Sequence, residues 1–229
     1  FLKRKGYPVG RTRVQRLMQL MGLQAIYPKP KLSKRREDSK VYPYLLKEVE
    51  IVRPFQVWCS DITYIPMKRG FLYLVAIMDW FSRFVISWEL SNTLDVQFCL
   101  EALESAMTSG KPEIFNSDQG CQYTSKAFTG RLLEENIRIS MDGKGRCFDN
   151  IFIERLWRSL KYEDIYLKDY EDVPSLIGGL TDYFAFYNYD RPHQGLKNAR
   201  PAEIHFDGEH GFSQNQGQGR FASRPMGAP

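Results

Sequence analysis

The stretch that decides the fold is RPFQVWCSDITYIPMKRGFLYLVAIMDWFS, residues 53–82, in which β-branched and aromatic residues dominate. Together with RFVISWEL, residues 83–90, it divides at turn-like breaks into three successive strands. MKRG, residues 67–70, is typical of a hairpin turn between the first two. The order therefore predicts a sheet that begins as an antiparallel meander.

Beyond residue 90 the hydrophobic spacing alternates between that of helices and that of strands. The predicted elements are a helix over 95–109, a strand over 112–118, a helix over 125–136, a strand over 137–141, and helices over 150–162 and 174–187. Three strands followed by alternating helices and strands predict an α/β domain, a mixed sheet flanked by helices.

Charge divides the 229-residue chain unevenly, although its net charge is only +5. Residues 1–53 hold 14 Lys and Arg against 4 acids, whereas residues 54–229 hold 18 against 23. A basic arm on an acidic body is typical of a protein that binds a polyanion, and a solvated basic tail explains the charge equally well. No apolar run reaches the roughly 20 residues of a membrane span.

The basic arm contains a short predicted helix, because apolar residues recur at helical spacing between Val14 and Met21. It presents three arginines, Arg11, Arg13 and Arg16. The helix is either the end of a helix-turn-helix that binds DNA or a surface helix packed on the body. The expected domains are a partial helix-turn-helix-like segment (1–27), a basic linker (28–50), a catalytic core (51–206) and a disordered tail (207–229).

Three acids stand out by their placement. Asp61 interrupts an apolar strand, Asp118 ends the fourth strand, and Glu154 lies near the start of a helix. Taken singly, Asp118 is better explained as a turn residue, and Glu154 with Arg158 as an ordinary i,i+4 ion pair. As a set they favour Mg²⁺ chemistry, since a carboxylate in an apolar strand is costly unless it is paired or binds a cation.

Other site chemistries lack their parts. Histidine is absent before residue 193, which removes zinc chemistry and a Ser-His-Asp triad near the first two acids. The four cysteines include no CxxC pair, so they indicate neither zinc nor disulfides. On the predicted helix over 150–162, one face is shared by Glu154, Trp157, Arg158 and Lys161, which predicts a phosphate contact at Lys161 beside the carboxylate.

Four blocks of the sequence resemble a known family. WCSDITYI (58–65), NSDQGCQYTS (116–125) and DNIFIERLWRSLKYE (149–163) resemble the three blocks of the DDE core of bacterial IS-three family insertion-sequence transposases, which are related to retroviral integrases. The 35 residues between Asp118 and Glu154 match that family's signature. YNYDRPHQGLKNARPAE (187–203) resembles its closing block, and the resemblance spans about residues 9–205.

This resemblance implies a ribonuclease H-like fold and metal-dependent DNA strand cleavage and strand transfer. It implies that Asp61, Asp118 and Glu154 hold two Mg²⁺ or Mn²⁺ ions and that Lys161 contacts transposon-end DNA. We further predict DNA contacts at Arg158 and in the basic arm. Arg191, in the closing block, is predicted to pack in the fold with its guanidinium open to DNA.

The implied partners are transposon ends and target DNA, a second copy of the chain on that DNA, and a protein from an upstream reading frame of the same element. We expect no membrane association and a location in the bacterial cytoplasm, at the nucleoid. Because residue 1 is Phe, we expect the downstream part of a longer product. The alternative function is a truncated, non-transposing remnant that binds DNA without cutting it.

Overall fold

The computed structural model describes residues 2–20, 40–68, 70–143 and 150–207, and the chain divides into two compact units, residues 1–36 and 37–229. The first contains a 3-10 turn, Leu2–Lys5, and helix α1, Arg11–Leu20. Arg13 and Arg16 are exposed on α1, as a DNA-contacting role requires, whereas the side chain of Arg11 is outside the description. The rest of the predicted arm and linker, 21–39, and the predicted tail beyond residue 207 are also outside it.

A five-stranded mixed sheet forms the centre of the second unit. Its strands are β1 (Val57–Pro66), β2 (Phe71–Asp79), β3 (Val85–Ser91), β4 (Ile114–Ser117) and β5 (Arg138–Met141). They lie in the order β3-β2-β1-β4-β5, with the first three antiparallel and β4 and β5 parallel to β1. The predicted meander and mixed sheet are confirmed.

Helices cover both faces of the sheet. They are α2 (Gln97–Met107), α3 (Lys126–Glu134), α4 (Ile151–Leu160), α5 (Tyr166–Lys168), α6 (Val173–Tyr189) and α7 (Pro201–Asp207). Because side chains alternate along a strand, Trp58 packs into the cluster with α2 and α3, whereas its neighbour Cys59 packs into the cluster with α4 and α6. Residues 57–60 of the central strand are thus buried between the two layers of helices.

The helix after residue 150 is not the uninterrupted α-helix that its spacing predicts. At its end the chain widens into a π-helical turn, Lys161–Ile165, before continuing as α5. The extra residue in this turn lets both Asp164 and Ile165 face inwards. Asp164 is stabilised there by the hydroxyl of Tyr170 at 2.7 Å and by the amine of Lys168 at 2.6 Å.

Residues 40–50, predicted as the end of a linker, lie against the β5 edge of the sheet. The backbone N–H of Leu45 donates to the hydroxyl of Ser140 at 3.0 Å, and Leu46 is buried with Val57 and Ile114. This segment is therefore part of the packed unit. Among the helices that the structure describes, none has the length and apolar character that a bilayer span needs.

Candidate active site

Two of the three predicted acids are neighbours because of strand register. β1 and β4 pair in parallel, with Ser60 opposite Ser117. The next residue on each strand is an acid, Asp61 within β1 and Asp118 directly after β4. Paired strands lie about 4.8 Å apart, so the two carboxylates leave neighbouring points of the backbone.

The third acid, Glu154, lies on α4, the helix that packs on the face of the sheet to which Cys59 of β1 points. α4 packs on the sheet through four buried residues, Ile153, Leu156, Trp157 and Leu160. Glu154 lies in its first turn on the exposed side. The amide of Asn150 at the helix start donates to the backbone carbonyl of Ser60 at 3.3 Å, which ties the beginning of α4 to the residue before Asp61.

The pKa of Asp61 is raised by its surroundings. Burial raises its pKa to about 6, and the negative charges of Asp118 and Glu154 push it in the same direction. The indole N–H of Trp157 donates to Asp61 Oδ2 at 3.0 Å and, with the backbone N–H of Ile62, favours the ionised form. Asp61 is thus a half-buried negative charge beside two further acids, an arrangement that a cation would stabilise.

Asp118 is held by the turn that follows it. The backbone N–H of Gly120 donates to Asp118 Oδ1 at 2.9 Å. Asp118 is exposed on one side, while the protein packed around the other side raises its pKa. Asp118 can therefore be both a residue of the turn that follows β4 and a carboxylate of the site.

The three carboxylates share an electrostatic neighbourhood without forming a closed ligand set. Within the described ranges, no three His, Cys, Asp or Glu side chains are close enough together to hold one metal ion. The donor set is nevertheless entirely carboxylate oxygen, the ligand type that Mg²⁺ prefers. Its composition, and the negative charges of Asp118 and Glu154 acting on Asp61, fit a hard divalent cation.

Gly120 leaves no space for a side chain beside Asp118. A Cβ built on it would lie 2.9 Å from Asp118 Oδ1, closer than real Cβ atoms come to a neighbour. We expect Gly120→Ala to turn the carboxylate away and to lower strand-transfer activity about tenfold or more, since a displacement of 1 Å at a reacting site can cost about 100-fold. Thermal unfolding should change little, because the turn is at the surface.

Gly130 provides the matched control, since a Cβ at that position meets nothing within 4 Å. Gly130→Ala should leave the activity unchanged in the same strand-transfer assay. Equal activities of the two variants would contradict the role assigned to Gly120.

Two basic residues of the predicted DNA contact, Arg158 and Lys161, follow Glu154 along the helix. Lys161 is half-buried, and burial lowers its pKa while attraction to Asp61 opposes that shift. Arg158 is exposed. In the described part of the chain neither takes part in an ion pair, so the Glu154–Arg158 pair considered from the sequence is not formed.

Arg191 is packed, as predicted, and its guanidinium is engaged. Its Nε and Nη2 donate to the two carboxylate oxygens of Glu163, at 2.9 and 2.6 Å. The hydroxyl of Tyr183 also donates to Glu163, at 3.0 Å. This cluster joins α6 to the π-helical turn, and a DNA contact at Arg191 would compete with it.

Sequence reasoning missed two residues at this edge. The spacing of three from Glu154 is the signal that Trp157 lies on the helix face directed at the carboxylates, where its indole contacts Asp61. Asp142 follows β5 as Asp118 follows β4, and it accepts a hydrogen bond from Asn116 Nδ2 at 2.8 Å. Its backbone carbonyl accepts another from Gln119 at 2.8 Å, which braces the turn on both sides of Asp118.

Comparison with known proteins gives matches to three family models. Two integrase core domain models match residues 52–147 and 135–201, and an HTH-like domain model matches residues 1–31. The last match supports DNA binding by the amino-terminal part.

Curated relatives match over most of the chain. The transposase for insertion sequence element IS629 of Shigella sonnei is 30% identical over 88% of this chain and 70% of its own length. The putative transposase InsK for insertion sequence element IS150 of Escherichia coli is 32% identical over 88% of this chain and 73% of its own.

Solved structures establish the fold. A chain of the simian T-cell lymphotropic virus intasome superposes with a TM-score of 0.62 at 18% identity, over 82% of this chain and 66% of that one. The HTLV-2 integrase catalytic core domain, solved with magnesium, superposes with a TM-score of 0.55 at 22% identity, over 67% and 98%. The core thus has the ribonuclease H-like fold of retroviral integrases, and the chain belongs to the insertion-sequence transposases of the IS-three family, polynucleotidyl-transferase-type enzymes of DNA transposition.

Proposed function

We propose that the chain is a DDE-type, metal-dependent transposase in which Asp61, Asp118 and Glu154 are the catalytic carboxylates. The observation that carries this assignment is the parallel register of β1 and β4, which puts Asp61 beside Asp118 under the first turn of α4. The reaction is a phosphodiester exchange. An attacking hydroxyl loses its proton and forms a new P–O bond, while the old P–O3′ bond breaks and its oxygen takes a proton.

The three carboxylates would hold Mg²⁺ or Mn²⁺, as two ions. When bound, such ions stabilise charge on the phosphoryl oxygens and activate an attacking hydroxyl or water. The all-oxygen donor set and the negative charges of Asp118 and Glu154 acting on Asp61 support this, as does magnesium in the related HTLV-2 core. Trp157 then orients Asp61, and Gly120 orients Asp118.

The DNA is held by basic side chains of both units. In this proposal Lys161 and Arg158 contact phosphates of the transposon end beside the reacting group, and the arginines of α1 contact DNA outside the core. Arg191 contributes a phosphate contact only when its pair with Glu163 opens. The working unit is a multimer on paired ends, joined by an upstream-frame protein of the element, in the bacterial cytoplasm.

The experiment that tests the proposal is a cleavage and strand-transfer assay on the element's own ends. The chain is incubated with labelled end DNA and target DNA in Mg²⁺, in Mn²⁺ or in EDTA, beside a full-length reconstruction. Joined products in either metal and none in EDTA support the proposal. Activity that persists in EDTA, or DNA binding by both proteins without cleavage, contradicts it.

Stability gives a test of Asp61 without DNA. Its pKa in the folded protein, about 6, lies above the ordinary 3.8, so the folded state binds the proton more tightly than the unfolded state does. The free energy of unfolding therefore falls as pH rises from about 4 to 6, by up to about 3 kcal/mol at 1.36 kcal/mol per pKa unit. We expect Asp61→Asn to stabilise the metal-free protein at pH 7 by about 1–3 kcal/mol, which raises Tm by about 2–4 °C per kcal/mol.

Thermal melts in EDTA at pH 7 and pH 4 measure this gain, which should shrink at the lower pH. Asp182→Asn, at an exposed position of α6, is the matched control and should change neither melt. Added Mg²⁺ should stabilise the wild type more than Asp61→Asn, because only the wild type keeps the complete ligand set. A gain in the Tm of Asp61→Asn that is the same at pH 7 and pH 4 would contradict the raised pKa of Asp61.

A further inference from the structure

An exposed aromatic pair lies directly beyond the catalytic helix. Tyr162 and Tyr166 are 66% and 52% exposed, and their rings are in contact. Their rings meet edge to face, with centroids 5.4 Å apart and planes at 89°. Each ring steadies the other while leaving aromatic surface open to solvent.

This pair continues the row of side chains that begins at the site. Arg158 and Tyr162 are four residues apart on one side of the helix, and the ring contact puts Tyr166 beside Tyr162 across the π-helical turn. Tyr162 lies eight residues beyond Glu154, about 12 Å along the axis at about 1.5 Å per residue. That span equals about three to four nucleotide steps of a DNA strand at about 3.4 Å each.

No contact within the described residues explains why both rings are exposed. Within the described residues, neither hydroxyl makes a hydrogen bond. The turn is anchored instead by the inward-facing residues Asp164 and Ile165. Replacing the exposed rings should therefore leave the fold intact.

We propose that Tyr162 and Tyr166 form a stacking platform for an unpaired base of the DNA end held at the active site, an inference that rests on the proposed function. Paired bases in a duplex offer only their edges, whereas an unpaired base offers a flat π-face, which aromatic side chains bind by stacking. Arg158 and Lys161, free of ion pairs in the described part of the chain, supply positive charge for the adjoining phosphates. This charge favours nucleic acid over an apolar protein partner.

The platform predicts a specific defect. Stacking on an aromatic side chain contributes about 1–3 kcal/mol per base, so we expect Tyr162→Ala with Tyr166→Ala to weaken binding of a frayed end about 5- to 100-fold. The matched variant, Tyr162→Phe with Tyr166→Phe, keeps both rings and should bind like the wild type. A fully paired, covalently closed end should bind all three proteins within about twofold, because it offers no π-face.

The test uses the full chain in EDTA, so that binding is measured without catalysis. Fluorescence anisotropy gives the affinities for an end with mismatches at positions 2–4 and for a hairpin-closed end. A 2-aminopurine at each mismatched position reports stacking by quenching, which the wild type and the Phe variant should cause and the Ala variant should not. Sedimentation of the free proteins follows their oligomeric state.

Several results would overturn the platform. Equal loss of affinity for both ends, no preference of the wild type for the frayed end, or retained quenching in the Ala variant each exclude it. A change of oligomeric state in the Ala variant would show instead that the pair is an interface between copies. Failure of the proposed function is separate, since it appears as absent cleavage and joining in the wild type with metal, whatever the binding result.

Discussion

Asp118→Asn is expected to lower the rate of strand transfer at least about 10³-fold while leaving the DNA affinity unchanged or slightly increased. The variant keeps the shape of the side chain and an oxygen that accepts the bond from Gly120, but it removes the negative charge that would hold a cation. Charge stabilisation by bound metal contributes several kcal/mol to such reactions, and about 1.36 kcal/mol corresponds to a tenfold change in rate. Binding is spared because the phosphate contacts lie elsewhere.

Single-turnover joining of precut ends in Mg²⁺ measures this loss, and anisotropy in EDTA measures the affinity. The matched control is again Asp182→Asn. This substitution removes the same charge from an exposed residue of α6. Glu154→Gln should repeat the loss, with Glu134→Gln on the exposed side of α3 as its control. More than a tenth of wild-type activity in either site variant would refute the carboxylate assignment.

Trp157→Phe should weaken Mg²⁺ binding about 10- to 100-fold, since loss of a hydrogen bond to a metal ligand costs about this much in affinity. The phenyl ring keeps most of the packing of the buried indole but cannot donate to Asp61 Oδ2. The concentration of Mg²⁺ that gives half-maximal activity should rise, and activity at saturating Mg²⁺ should approach that of the wild type.

Two titrations with Mg²⁺ measure the effect, one of strand transfer and one of the Tm of the DNA-free protein. Trp88→Phe is the control, because Trp88 is a tryptophan of β3 that packs against Phe184 and, among the described residues, donates no hydrogen bond to a carboxylate. Identical Mg²⁺ dependence in the Trp157 variant and the wild type would show that the indole only fills space. A lower activity that saturating Mg²⁺ does not restore would also contradict an orienting role.

The strands of the meander and most helices could be predicted because they depend on local patterns. The β-branched and aromatic residues of β1 and the 3.6-residue spacing of α4 are properties of neighbouring residues. The π-helical turn could not be predicted in this way. Its residue spacing does not distinguish it from an α-helix, and the inward-facing Asp164 is paired there with Lys168 and Tyr170, four and six residues further along the chain.

The candidate site, too, could be predicted only in part from local sequence. The spacing of Asp118 and Glu154, with Asp61 in an apolar strand, was enough to select the three acids and the family. Local sequence did not decide between an ion pair and a DNA contact for Arg158, which forms no ion pair with any residue that the structure describes. It also did not reveal that Arg191 binds Glu163, a residue 28 positions away.

The sequence by itself determined which residues carry the chemistry, because residue types and their spacing are the signature of the family. Only the tertiary structure decided how those residues act on one another. Parallel pairing of β1 with β4 brings Asp61 beside Asp118, and packing of α4 brings Trp157 onto Asp61. Such contacts depend on burial and on strand register, which join residues distant in the chain and leave no local pattern to read.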